Sequence, residues 1–170
     1  MFRKILNLFN IYNKKNTFIP YGRQNITRSD IKAVNKVLKN EFLTQGKLVP
    51  LFEKKINEEV LSSYAVAVNS GTSALHIACL ALNLNSKDYL WTSPISFVAS
   101  ANCGRYCGSK VDFVDINIST GLIDINKLKE KLESSQKTGK LPKILVCVHL
   151  AGTSCEMKSI KKLSKKYGFK

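Results

Sequence analysis

The sequence predicts an α/β protein: a mostly parallel sheet with helices on both faces. Three observations carry this. Short apolar runs rich in β-branched and aromatic residues recur at Tyr64–Val68, Tyr89–Thr92, Lys110–Val114 and Ile144–Val148. Between them lie stretches with apolar residues at helical spacing, such as Ile125, Leu128 and Leu132. Turn and cap residues mark the joins, among them Ser70-Gly71, Pro94 and Gly168. A chain of 170 residues, 44% apolar and 23% charged, has the length and composition of one soluble domain with a real core.

Residues 1–17 come first. Ile5, Leu6, Leu8, Phe9 and Tyr12 suit one face of a short amphipathic helix, with Arg3, Lys4, Lys14 and Lys15 beside it. The stretch is too short and too interrupted by Asn7 and Asn10 to span a membrane, and it lacks a small-residue cleavage site. It is expected to be an extension or a surface helix ahead of a domain over 18–170. Phe18 to Gly22 reads as an extended entry. Thr27-Arg28-Ser29-Asp30 reads as a capping box opening a helix to about Asn40, with Ile31, Val34 and Leu38 on one face. Leu43-Thr44-Gln45-Gly46 is a loop, and Leu51, Phe52, Ile56 and Val60 mark a second helix.

The chain is then organised around Val68-Asn69-Ser70-Gly71-Thr72-Ser73-Ala74-Leu75-His76. A buried strand over 64–68, a tight turn at Ser70-Gly71 and a helix over 72–82 would leave backbone N–H groups unpaired at the helix start. The positive end of the helix dipole would point there too. A phosphate or a carboxylate suits such a place. Ser and Thr acting only as helix caps is an equally good reading of the stretch by itself. Further on, a second strand at Tyr89–Thr92 is broken by Pro94. A helix of small residues covers 97–106, and a third strand, Lys110–Val114, ends at Asp115. A polar helix covers 124–134 and a fourth strand Ile144–Val148. A basic amphipathic helix over 156–167 closes at Gly168, after which Phe169-Lys170 starts a fifth strand.

Ligands in such sheets bind beyond the carboxyl ends of the strands. Ser70–Ser73, Ser93–Phe97 and His149–Thr153 all fall there. No G-x-G-x-x-G, P-loop or G-x-S-x-G pattern is present. Asp112, Asp115 and Asp124 read as surface carboxylates. Cys79, Cys103, Cys107, Cys147 and Cys155 are odd in number, form no C-x-x-C pair and sit in apolar or small-residue segments. With His76 and His149 the only histidines, no zinc spacing emerges, and reduced thiols in a cytoplasmic protein are expected. The net charge of +15 comes from lysines scattered along the chain, without a basic stripe and interleaved aromatics. Solvated lysine faces are therefore expected rather than a nucleic-acid surface.

Six runs stand out in their order and spacing: Tyr21–Gln24, Leu43–Gly46, Asn69–His76, Pro94–Asn102, Phe113–Ile116 and Val148–Gly152. Together they resemble the N-terminal part of the DegT-type nucleotide-sugar aminotransferases, pyridoxal-phosphate enzymes of fold type I. Within the family, the Leu43–Gly46 loop and the Pro94–Asn102 run point to the branch working toward pseudaminic acid. The resemblance spans Phe18–Lys170, less than half of the family's usual domain. It implies that Thr72 and Ser73 bind the phosphate of pyridoxal 5′-phosphate and that Phe97 stacks on the pyridine ring. It implies that Tyr21, Leu43, Thr44 and Gly71 touch the UDP-sugar, with glutamate as the amino donor and a homodimer as the assembled form. Without the resemblance, Phe97 reads as a core residue after a turn. In the family, the lysine that holds the cofactor and the carboxylate that pairs with its ring nitrogen come later in sequence. No lysine here stands in that context, so no catalytic residue is assigned, and the chain is expected to be a fragment that is inactive alone.

Overall fold

The structure, a computed structural model, describes residues 22–170. The helix expected within residues 1–17 and, apart from Gly22, the extended entry expected over 18–22, Tyr21 included, lie outside the described residues. The chain divides into two compact units, one ending at Val60 and one running from Leu61 to Lys170.

In the first unit, helix α1 is Arg28–Asn40 and helix α2 is Leu48–Val60. The expected capping box is present. The Thr27 amide donates to Asp30 Oδ2 at 2.7 Å, and the Asp30 amide donates to Thr27 Oγ1 at 3.4 Å. The Thr27 amide, and next to it the Thr27 hydroxyl donating to the same Oδ2 at 2.7 Å, hold the Asp30 carboxyl below its ordinary range. The α1–α2 loop turns through Gln45 at φ 55°. A side chain at Gly46 would run into the carbonyl oxygen of Phe42, so the turn closes only on glycine. A 2.9 Å ion pair from Lys47 to Glu41 spans the loop.

The second unit is built on a three-stranded parallel sheet of β1 (Tyr89–Thr92), β2 (Lys110–Phe113) and β3 (Ile144–Val146), in the order β2-β1-β3. Trp91 pairs with Asp112 on one side and with Leu145 on the other. Helix α3 is Gly71–Ala81 and α4, Ala99–Tyr106, links β1 to β2. Helix α5, Ile125–Thr138, links β2 to β3, and α6 is Met157–Tyr167. Asp124 caps α5, its carboxylate accepting from the Asn126 and Lys127 amides at 2.8 and 3.0 Å. Gly168, at φ 81°, ends α6 in the left-handed conformation that glycine adopts without strain. The expected fifth strand is not formed as an element, but Lys170 pairs alongside β3. The Lys170 amide donates to the Lys143 carbonyl at 2.9 Å, and the Leu145 amide donates to the Lys170 carbonyl at 2.8 Å.

Side-chain alternation along the strands divides the core. Trp91 and Leu145 point to one face and pack with Leu128, Leu132, Ile160, Leu163 and Phe169 of α5, α6 and the chain that follows. Leu90 and Ile144 point to the other and pack with Cys79 of α3 and Cys103 of α4. Helices therefore cover both faces, as the apolar strands require.

One expected element is absent. Residues 64–68 form no strand, and Tyr64 and Val66 are 89% and 70% exposed. β-branched residues favour an extended chain, but a strand also needs a neighbour's ladder of hydrogen bonds. The three described strands pair only with one another and with the chain at Lys170. Among the described residues, the other expected helices and the strands at 89–92, 110–114 and 144–148 form, with ends moved by a few residues. Among the described residues no helix is long and apolar enough to cross a membrane.

All five cysteines are free thiols. Burial, and next to it the neighbouring Cys103, push the Cys79 thiol up from an ordinary 9.0 to about 12. An unfolded thiol ionises near the ordinary value, whereas folded Cys79 keeps its proton well above it. Between those values the native state binds more protons, so stability falls as pH rises. Denaturation midpoints are expected to drop as pH rises from about 9 toward 12, and to drop less in Cys79→Ala. Equal slopes for the two proteins would refute this.

Candidate functional site

The sheet order places a topological switch at the carboxyl ends of β1 and β3. From β1 the chain crosses to β2 on one side, and from β3 it continues to Lys170 on the other. A crevice outside the strand ends is the default ligand position in such sheets. Ser93–Phe97 follows β1 and Val148–Thr153 follows β3, so two of the three expected loops meet at this switch.

The third expected loop opens α3. Ser70 is its N-cap, and its hydroxyl oxygen accepts from the Ser73 amide at 3.1 Å. The Ser73 hydroxyl donates to Asn69 Oδ1 at 2.7 Å. Capping therefore does occupy the Ser73 amide. The Gly71 and Thr72 amides have no partner among the described residues, and a side chain at Gly71 would meet no atom within 4 Å. The start of α3 thus brings together two N–H groups without a partner among the described residues, the half-buried Thr72 and the positive end of the helix dipole. Helix α3 rests on α4, where His76 and Tyr106 meet edge to face at 5.3 Å.

Phe97 lies in the Pro94–Val98 segment leading into α4 and is 74% exposed, not a core residue. It lines a cleft of about 190 Å³ with Ser93, Ser96, Ser100 and Phe113. That volume suits a single ring with its substituents and is below the roughly 300–1,000 Å³ of sites for larger ligands. The Ser96 and Ser100 hydroxyls bond each other at 2.7 Å, and Thr92 Oγ1 donates to the Val146 carbonyl at 3.0 Å, joining β1 to β3.

After β3, His149 Nδ1 accepts from the Cys155 amide at 3.0 Å. The neutral ring therefore carries its proton on Nε2. Ala151 holds φ 52°, an uncommon left-handed turn for a residue other than glycine.

Gly71, Thr72, Ser73 and Phe97 belong to the second unit; no bond or ring contact joins Phe97 to the other three among the described residues. Leu43 and Thr44 lie in the first unit, both exposed, in the loop that Gly46 closes. Sequence reading named the Ser93–Phe97 segment but did not single out Ser93, whose hydroxyl is buried without a partner. A serine before a proline signals a turn; only coordinates show whether its hydroxyl is satisfied.

A model of the DegT/DnrJ/EryC1/StrS aminotransferase family matches residues 24–170. The chain belongs to this family. A relative in Campylobacter jejuni, UDP-4-amino-4,6-dideoxy-N-acetyl-beta-L-altrosamine transaminase, is 43% identical over 150 residues, which are 88% of this chain and 38% of the relative. The structure of Helicobacter pylori PseC, an aminotransferase involved in pseudoaminic acid biosynthesis, matches with a TM-score of 0.78 at 34% identity. That match covers 90% of this chain and 40% of PseC. An aminotransferase from Psychrobacter cryohalolentis matches with a TM-score of 0.76 at 30% identity, over 90% of this chain and 37% of the other. The chain thus spans about two fifths of the length of these DegT-family relatives.

Proposed function

We propose that this chain is the N-terminal, cofactor-holding part of a pyridoxal-phosphate-dependent transaminase. The enzyme would move an amino group, with glutamate as donor, to a 4-keto UDP-sugar in pseudaminic acid or surface-polysaccharide biosynthesis. The observation that carries the reading is the open start of α3: two unpaired amides and a hydroxyl at a helix N-terminus in a DegT-family chain. When bound, the cofactor supplies an electron sink through which an amino group passes between donor and keto sugar.

The residues present fit that group. The Gly71 and Thr72 amides and the Thr72 hydroxyl would hold its phosphate. Ser73 would contribute only by exchanging a bond it already makes, because its amide donates to Ser70 and its hydroxyl to Asn69. The exposed Phe97 ring would cover one face of the pyridine and keep water from it. Tyr21, Leu43, Thr44 and Gly71 would contact the UDP-sugar, which is larger than the cleft beside Phe97. The domain is taken to run from 18 to 170 as an incomplete large domain, with 1–17 an extension. No catalytic residue is assigned within it, and turnover by this stretch alone is not expected. The longer protein is proposed to act as a homodimer.

Pyridoxamine 5′-phosphate is the suitable probe, since it lacks the aldehyde that would label surface lysines. The chain is expected to bind it in a fluorescence titration, and Thr72→Ala to weaken binding about ten- to hundredfold, the worth of one hydrogen bond to a charged group. Equal affinity for both proteins would remove Thr72 from the phosphate site. No binding by the unmodified chain would overturn the reading of this half-site.

A further inference from the structure

Ser93 stands just past the end of β1, before Pro94. It is 3% exposed, and its Oγ has no hydrogen-bond partner. A hydroxyl taken out of water without a partner is a net cost to the fold, and native proteins leave few such groups. Trp91 Nε1 is the other buried side-chain atom in this state among the described residues. Trp91 belongs to the core beneath α5 and α6, where its ring also meets Lys131 Nζ at 4.9 Å. Ser93 instead belongs to the wall of the cleft that holds Phe97. The other hydroxyls of that wall are satisfied: Thr92 by the Val146 carbonyl, and Ser96 and Ser100 by each other.

We propose that Ser93 is a ligand-binding residue whose hydroxyl bonds a polar substituent of an aromatic ring stacked on Phe97. The inference rests on the cofactor-site reading above and adds a contact to it. The burial is then explained: the hydroxyl is kept dry and unpaired for an incoming group, at the expense of the empty protein.

This gives Ser93→Ala two opposite effects. Without ligand, the variant removes an unsatisfied polar atom, and the 170-residue chain is expected to melt about 2–6 °C higher. With pyridoxamine 5′-phosphate, the same variant is expected to bind about five- to twentyfold more weakly and to gain less melting temperature from the ligand. A structural serine would not move the two readings in opposite directions. A lower melting temperature for Ser93→Ala overturns the proposal whatever its affinity. Unchanged affinity in Ser93→Ala, with weakened binding in Thr72→Ala, overturns the role of Ser93 and leaves the cofactor site standing. No binding by the unmodified chain overturns both.

Discussion

Trp91→Ala is expected to cost the Leu61–Lys170 unit about 3–5 kcal/mol, seen as a lower urea midpoint. Trp91 is 1% exposed on the central strand, and it packs among the side chains of α5 and α6. Truncation would leave a cavity bounded by the β1 backbone, which is paired on both sides and cannot collapse into the gap. The Lys131 ammonium would also lose the ring it lies over, though its 2.7 Å ion pair with Asp112 remains. Trp91→Phe separates size from chemistry. It keeps an aromatic ring and removes the partnerless indole N–H, so its cost is expected to be clearly smaller. Equal losses in the two variants would show that ring volume is not what the site requires.

Gly104→Ala is expected to destabilise the same unit by about 1–3 kcal/mol, against the rule for helices. In an exposed helix interior this change gains about 1 kcal/mol of propensity. Gly104 is instead the point where α4 lies closest to the sheet. A Cβ there would stand 2.9 Å from Ser109 Oγ and 3.1 Å from both Leu90 Cβ and Val111 Cγ2. Those neighbours cannot yield cheaply. Leu90 and Ser109 are fully buried, and the Ser109 hydroxyl donates to the Gly104 carbonyl at 2.9 Å. Overpacking therefore outweighs propensity. A thermal melt checks the sign: a stabilised Gly104→Ala would mean that α4 can lift from β1 and β2 freely.

Much of this fold was legible because its signals are local. The Thr27–Asp30 box, the Asp124 cap, the Gly168 stop and the apolar runs at 89–92 and 110–113 each carry their own physical cause within a few residues. Tyr64–Val68 was misread because propensity describes what a segment tolerates, while a strand also depends on a distant partner. The start of α3 was legible as a choice between capping and anion binding. The coordinates divide it: Ser73 takes the cap, and Gly71 and Thr72 stay open. Phe97 illustrates the converse. Hydrophobicity placed it in the core, and only family likeness placed it at a site; the structure leaves its ring exposed. Ser93 lay beyond sequence reading because an unsatisfied bond is a property of surroundings.

The sheet order also carries a consequence for the time course of folding. β1 joins β2 through the single short helix α4, whereas the ladder to β3 must wait for the much longer excursion through α5. Closing the shorter loop sacrifices less chain entropy. The parallel β1–α4–β2 crossover is thus expected to form first, and the wall holding Ser93 and Phe97 with it, ahead of the His149 loop.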